Sequence, residues 1–341
     1  MSLSLVIIGL SLLVSLIATY LLYQVLSRKL IHQVRPWGPE THLRKAPVPT
    51  GGGLLFAIML PVGLLLGFFP FGSVLELDAG ELPFALTILV ACTLFALLGF
   101  TDDYLKAARG SSTGLPARYK LPLQAVIAVG SLLALYQYSS GVFLLWPAQP
   151  LALPLWLYLA LGGFLLVGLV NAMNFTDGAD GLAAGMALLS LLALACAFTL
   201  LAARQDLDGQ AGLLSYLCLV GAGAAGAFLS VNFKPALIYM GDTGSYYLGA
   251  FIGLVAIAGG LMLFLIPLAL VYGLELLSVV LQVAYFRLSG GRRIFKMSPL
   301  HHHFELSGLG ELRTVLMFWA VHAAVSAGSV ALFYWQLVSW S

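Results

Sequence analysis

The chemically capable residues of this chain sit in four short polar stretches set between long apolar runs. The densest is Asn171-Ala-Met-Asn174-Phe-Thr-Asp177-Gly-Ala-Asp180-Gly181, which holds two of the chain's three asparagines. Polar and ionisable groups at a membrane boundary are costly, so a cluster there points to function. Asp177 and Asp180 are three residues apart and would share a face of any helix starting near Thr176, with Gly178 and Gly181 leaving the backbone open to a ligand. Helix capping is the competing explanation, since Asn, Thr and Asp favour N-termini. One cap, however, needs neither two asparagines nor two aspartates.

In Gly99-Phe-Thr-Asp102-Asp103-Tyr-Leu-Lys106 two carboxylates end an apolar run, and Lys106 follows them at the helical i,i+3 and i,i+4 spacing. Neighbouring acids on a helix point in different directions, so the doublet alone does not imply a shared metal. The third stretch begins at Asn232 and runs to Tyr239-Met-Gly241-Asp242-Thr-Gly-Ser245, a helix-start signal whose free N–H groups attract anions. Asp242 reads there either as a plain N-cap or as a carboxylate sharing a divalent cation with an anion, as Mg²⁺ does with substrate phosphates. The fourth is Lys296-Met-Ser-Pro-Leu-His301-His302-His303-Phe-Glu-Leu, with three of the chain's six histidines. Consecutive residues cannot easily all face one zinc ion, and contacts to phosphate or sugar fit them better. His322 reads as a packing residue, and Glu275 as a helix–helix hydrogen bond.

The elements that must position these groups follow from composition. With 61% hydrophobic and 9% charged residues, and a mean hydropathy of +0.99, the chain cannot cover a water-facing surface. We expect an all-α polytopic membrane protein forming one domain over 1–341. Ten apolar runs are long enough to serve as spans: about Leu3–Leu26, Gly52–Phe69, Phe84–Phe100, Leu121–Tyr138, Leu155–Val170, Leu182–Ala203, Leu213–Val231, Tyr246–Ala258, Leu261–Phe286 and Thr314–Val338. Pro267 and Gly273 predict a bent or broken ninth helix beside an apolar groove. Val142–Trp146, closed by Pro147, predicts a short hairpin. The three cysteines fall inside apolar runs and read as small buried hydrophobes.

Placing both termini outside puts fifteen of the sixteen Lys and Arg on the cytoplasmic side, leaving Arg204 alone outside. The same assignment brings Asp102, Asp103, Asp177, Asp180 and Asp242 together on the cytoplasmic face. The basic residues are dispersed among loops, so no nucleic-acid partner is expected.

Asp102-Asp103-Tyr-Leu-Lys106, Asn174-Phe-Thr-Asp177-Gly-Ala-Asp180-Gly-Leu-Ala, Tyr239-Met-Gly-Asp242-Thr-Gly-Ser and Pro299-Leu-His-His-His-Phe-Glu-Leu resemble, in order, the signature motifs of the phospho-N-acetylmuramoyl-pentapeptide transferases, within the polyprenyl-phosphate N-acetylhexosamine-1-phosphate transferase superfamily. The resemblance covers about His42 to Glu305. It implies an enzyme of the bacterial inner membrane that moves phospho-MurNAc-pentapeptide from UDP-MurNAc-pentapeptide onto undecaprenyl phosphate, with Mg²⁺, giving lipid I and UMP. By family position Asp242 would bind Mg²⁺ and Asp102 or Asp103 would activate the lipid phosphate. Gly178, Asp180, Asn232 and Tyr239 would line the uridine pocket, and Thr50, Asn174, Asp177 and His301 to His303 would face the sugar and diphosphate. Lys45, Lys106 and Lys120 would supply cations for the phosphates. The chain departs from the family at Tyr239, commonly Phe, and in the His42–Gly52 loop, where Pro47 and Gly51 stand in a stretch the family usually writes Lys-x-Gly-Thr-Pro-Thr-Met-Gly-Gly.

Other readings are weaker. A transferase for a UDP-GlcNAc-type sugar is the nearest alternative, and the histidine stretch argues against it. A secondary transporter would need midplane acids, for which only Glu275 qualifies, and no internal repeat is visible. A structural scaffold would not need five aspartates on one face. The small-residue run Gly221–Gly226 permits close helix packing within the chain or between two copies, which leaves room for a homodimer.

Overall fold

A backbone crossing hydrocarbon has only itself to hydrogen-bond with, so the apolar runs fold as helices. The computed structural model describes residues 48–68, 79–109, 114–139, 142–145, 149–203 and 210–339, with a few isolated positions before residue 34. In chain order the elements are β1 (His32–Gln33), β2 (Val48–Pro49), α1 (Leu54–Phe68), α2 (Leu82–Ala108), α3 (Ala117–Ser139), β3 (Val142–Leu145), β4 (Gln149–Ala152), α4 (Leu155–Thr176), α5 (Leu182–Ala202), α6 (Ala211–Asn232), α7 (Gly241–Ala258), α8 (Met262–Leu268), α9 (Leu270–Leu288), α10 (Leu300–Phe304) and α11 (Glu311–Ser339). β1 pairs antiparallel with β2, and β3 with β4 in the register Val142↔Ala152, a hairpin that opens at Val142 as expected but takes its second strand from Gln149–Ala152, beyond Pro147.

Among the described residues seven helices are long and apolar enough to cross a membrane: α2, α3, α4, α5, α6, α9 and α11. The protein is therefore an all-α multi-pass membrane protein. The first expected span lies almost entirely outside the described residues. Outward-facing side chains such as Val126, Trp156 and Phe164 are 70%, 70% and 77% exposed, as a bilayer-facing surface requires.

α7 is the centre of the bundle. Every residue from Thr243 to Ala258 is buried, because α7 is apolar on all sides below its first turn and packs against α2, α4 and α1. Glycines permit these close crossings. A methyl group at Gly249 would come within 2.8 Å of the Val170 Cα on α4, and one at Gly99 of α2 would overlap the Asp242 carbonyl. The small-residue run of α6 is used inside the chain, where Gly221 abuts Phe251 and Leu191.

The ninth apolar run is broken, as expected. Pro267 lacks an N–H and its ring crowds the preceding turn, so α8 stops at Leu268 and α9 starts at Leu270. The buried residues of α9 are Val271, Tyr272, Glu275, Ser278 and Gln282, a single stripe, and the rest of the helix is open to the apolar surroundings. His322 is buried on α11 and hydrogen-bonds the Ser190 hydroxyl at 2.8 Å, the packing role expected for it.

Candidate active site

Four helix ends carry the carboxylates and lysines to one point. Asp102, Asp103 and Lys106 come from the last two turns of α2, Lys120 from the start of α3, Asn174 from the end of α4, and Asp242 from the first turn of α7. The Lys106 ammonium lies 2.7 Å from Asp102 Oδ2, 2.9 Å from Asp242 Oδ2 and 3.9 Å from Asp103 Oδ1. Lys120 Nζ reaches Asp102 Oδ1 at 2.9 Å and Asp242 Oδ2 at 3.5 Å. Asn174 Nδ2 donates to Asp242 Oδ1 and to Ser245 Oγ, both at 2.9 Å. Three carboxylates thus meet two ammonium groups, with one negative charge in excess when all three acids are ionised.

The two adjacent aspartates have different jobs. Asp102 is fully buried between the two lysines and also accepts from the Leu115 N–H at 2.6 Å. Asp103 points the other way and caps α7: it accepts from the N–H groups of Asp242 (3.2 Å) and Thr243 (3.0 Å) and from the Thr243 hydroxyl (2.9 Å). The plain N-cap role weighed for Asp242 is thereby taken by a residue from another helix. Residue 240, at the N-cap position, is a methionine and makes no side-chain cap bond. Thr50 sits beside this junction: a methyl group on Gly241 would lie 2.8 Å from Asp103 Oδ2 and 2.9 Å from Thr50 Oγ1, and Gly241 has φ +77°. Asp103→Ala should therefore lower stability by about 0.5–2 kcal/mol while Asp103→Asn keeps most of it, since Asn caps about as well as Asp. Thermal unfolding of the purified variants checks this, and equal stability of the two would refute the capping role.

The histidines form a second arm. Glu275, fully buried in α9, accepts from the His301 backbone N–H at 3.2 Å and pairs with His301 Nδ1 at 3.0 Å. Where that carboxylate is ionised it can only accept, so the proton of the pair sits on Nδ1, and Nε2 is the nitrogen turned toward Gly178. His301 Nε2 is buried with no hydrogen-bond partner, against Gly178, where any side chain would overlap it. The rings of His301 and His302 pack 4.1 Å apart, and the three histidines use different Nδ1 partners. His302 faces Glu305 at 3.5 Å and His303 Nδ1 accepts from the Lys296 N–H at 3.1 Å, so they do not share a metal. Glu275 joins two helices, as expected, because His301 lies on α10, and the same contact orients the histidine ring. An acid inside an apolar run was the signal for it.

The central part of the chain, residues 85–260, matches the family model described as glycosyl transferase family 4. Relatives named phospho-N-acetylmuramoyl-pentapeptide-transferase include that of Moorella thermoacetica, 43% identical over 290 residues, 84% of this chain and 85% of the relative. Those of Bacillus thuringiensis (strain Al Hakam) and Bacillus cereus (strain AH187) are each 35% identical over 305 residues, 89% of both chains. The chain belongs to the phospho-N-acetylmuramoyl-pentapeptide-transferase family.

The other candidate residues of this family member lie in connecting loops and at helix ends. Asp177 and Asp180 do not share a helix face, contrary to expectation. α4 ends at Thr176 with Asp177 as its C-cap, Gly181 takes φ +80°, and α5 begins only at Leu182, so both aspartates lie in the connecting turn. Asp180 is buried and accepts from the Ala236 N–H at 3.2 Å, while its own N–H donates to Glu311 Oε1 at 3.3 Å. Lys234 closes this clamp on Glu311 at 2.6 Å. Asn232 bridges the same loops, accepting from the Gly181 N–H at 3.1 Å and donating to the Ile238 carbonyl at 2.8 Å. Tyr239, 5% exposed, is held by backbone bonds to Pro49 and Gly52. Lys45 lies outside the described residues. Sequence reasoning missed the Lys234–Glu311 clamp and Ser245.

The carboxylate centre suits Mg²⁺ by its donor chemistry. Its acids offer hard oxygens, with one excess negative charge when all three are ionised, and Mg²⁺ typically takes one or two carboxylates together with substrate phosphates. Among the described residues no cluster of three or more His, Cys, Asp or Glu forms a self-sufficient metal site.

Proposed function

We propose that the protein transfers phospho-MurNAc-pentapeptide from UDP-MurNAc-pentapeptide to undecaprenyl phosphate, producing lipid I and UMP at the cytoplasmic face of a bacterial inner membrane. One observation carries this reading: Asp102, Asp103 and Asp242 converge with Lys106 and Lys120 at the ends of membrane helices. A lipid phosphate confined to the bilayer and a soluble nucleotide can meet only at such a boundary.

Phosphoryl transfer is mostly positioning and charge neutralisation. An oxygen of the lipid phosphate bonds to the sugar-bearing phosphorus of the nucleotide, the bond from that phosphorus to the bridging oxygen breaks, and UMP leaves with the electron pair. Lys106 and Lys120 hold phosphate oxygens and set the orientation of Asp242, with Lys45 as a further cation. Asp242 and Asp102 would hold Mg²⁺, which when bound neutralises charge on the diphosphate. Asp102 also activates the lipid phosphate, because Asp103 is committed to capping α7. Gly178, Asp180, Asn232 and Tyr239 shape the uridine pocket. Asn174, Thr50, Asp177 and His301 to His303 face the diphosphate and sugar, and His301 Nε2 is the group left free for them.

The test is UMP release in membrane vesicles of known sidedness, with and without undecaprenyl phosphate and with each candidate UDP-sugar. We expect lipid-dependent release only with UDP-MurNAc-pentapeptide, only with Mg²⁺, and only when nucleotide is supplied on the cytoplasmic side. Release with UDP-GlcNAc instead would assign the chain to the related sugar transferases.

A further inference from the structure

Beyond the carboxylate and histidine arms, α9 carries a second binding feature that the transfer chemistry does not use. Where the helix ends, Gln282, Phe286, Arg287, Arg293 and Met297 line a cavity of about 340 Å³, within the size range of ligand pockets. Its wall is built rather than incidental. Gln282, 7% exposed, accepts from the N–H groups of Ile294 and Phe295 at 3.0 Å each, and so fastens the 292–298 segment to α9. Lys296 at the other end of that segment donates its N–H to His303 and its ammonium to the Leu306 carbonyl at 3.1 Å. Cavity and histidine helix therefore form one unit.

The charge of the unit is one-sided. Arg287, Arg292, Arg293 and Lys296 fall within ten residues, and no Asp or Glu occurs between Glu275 and Glu305. Neither Arg287 nor Arg293 has a carboxylate partner among the described residues. Two guanidinium groups on one cavity match a carboxylate or phosphate.

Position decides which. Gln282 lies on the buried stripe of α9 that carries Glu275, seven residues or two turns away, about 10 Å along the axis. A substrate whose sugar and diphosphate face His301 has its peptide leading off from that point. An extended chain advances about 3.3–3.6 Å per residue, so a five-residue peptide spans the gap with length to spare. Joined to the sugar by its amino end, such a peptide finishes in a free carboxylate.

We propose that this cavity is the subsite for the peptide of the sugar nucleotide, with Arg287 and Arg293 gripping its terminal carboxylate. The inference rests on the transferase reading and adds the part of the substrate that sets it apart from simpler UDP-sugars. An anionic phospholipid headgroup is the competing occupant, since basic clusters at the end of a membrane helix attract such lipids.

The experiment compares kcat/KM for UDP-MurNAc-pentapeptide, its C-terminal amide and peptide-free UDP-MurNAc, in the full-length protein and in Arg287→Gln/Arg293→Gln, reconstituted in zwitterionic and in anionic nanodiscs. Each charge-assisted hydrogen bond lost should cost about tenfold or more. We expect the preference for pentapeptide over peptide-free substrate to fall by about tenfold or more for each of the two donors the variant loses, through KM. The amide should show the same fall in the unaltered protein, and lipid charge should make no difference. A preference that survives in the variant, or an amide that matches the acid, would overturn the subsite. A variant defect that is equal for all three substrates and depends on anionic lipid would assign the cavity to a headgroup. If the unaltered protein turns over none of the muramoyl substrates while binding or using another sugar nucleotide, the transferase reading fails first and takes the subsite with it.

Discussion

Asp242→Asn is expected to lower turnover by about a hundredfold or more, the cost typical of removing one preorganised charge from a reacting centre, while the protein still folds with α7 capped. Both halves follow from the same geometry. The Asp242 carboxylate is held by Lys106 at 2.9 Å, Lys120 at 3.5 Å and Asn174 at 2.9 Å, all from other helices. It makes no cap bond, and α7 remains capped by Asp103. Asparagine therefore preserves the α7 cap, but besides the charge and its helix-dipole contribution of about 0.3–1 kcal/mol it exchanges one acceptor oxygen for an NH₂ that meets either a lysine ammonium or the Asn174 amide, at a further cost of about 1–3 kcal/mol. The two ammonium groups would then outnumber the remaining well-placed acids, and the proposed Mg²⁺ site would lose the carboxylate assigned to hold it. Steady-state UMP release across a Mg²⁺ series, with a melting curve on the same preparation, checks this. Near-normal turnover by folded Asp242→Asn protein would remove Asp242 from the centre.

Glu275→Gln should cut kcat by about 10–100-fold, the range seen when an orienting partner behind a functional histidine is changed. The carboxylate supplies two acceptors, one for the His301 N–H and one for Nδ1. A glutamine has one acceptor oxygen and one NH₂, so satisfying the backbone N–H turns a donor toward Nδ1. The ring proton then moves to Nε2, and the nitrogen beside Gly178 changes from acceptor to donor. KM should move less than kcat, and the ¹⁵N shifts of the His301 ring should report the exchanged tautomer. An unchanged tautomer with normal turnover would make the pair a packing feature only. Glu275→Ala is the harsher change, since it leaves a buried N–H unpaired at a cost of about 1–3 kcal/mol.

These outcomes separate residues that local pattern cannot. Asp102 and Asp103 are adjacent and chemically identical, yet one lies between lysines and the other caps a helix more than 130 residues away. Asp242 looked like a cap because it follows Gly241 at a helix start. The competition was settled by which carboxylate the crossing of α2 and α7 brings to the free N–H groups, and Gly99 makes that crossing close enough.

By itself the sequence determined the membrane class, the positions of most helices, the break at Pro267, a short hairpin opening at Val142 and the polar stretches that form the candidate site. Each depends on hydropathy, on proline's missing N–H or on spacing within a few residues, and those act locally along the chain. Only the tertiary structure decided that Asp177 and Asp180 lie in a turn rather than on a helix, because Asp180 is held by Ala236 and Glu311 from distant segments. Only it paired Glu275 with His301 and fastened the 292–298 segment to Gln282. Such pairings join residues that no local periodicity relates, and burial makes them binding: a carboxylate or amide removed from water has to find partners wherever the packed helices present them.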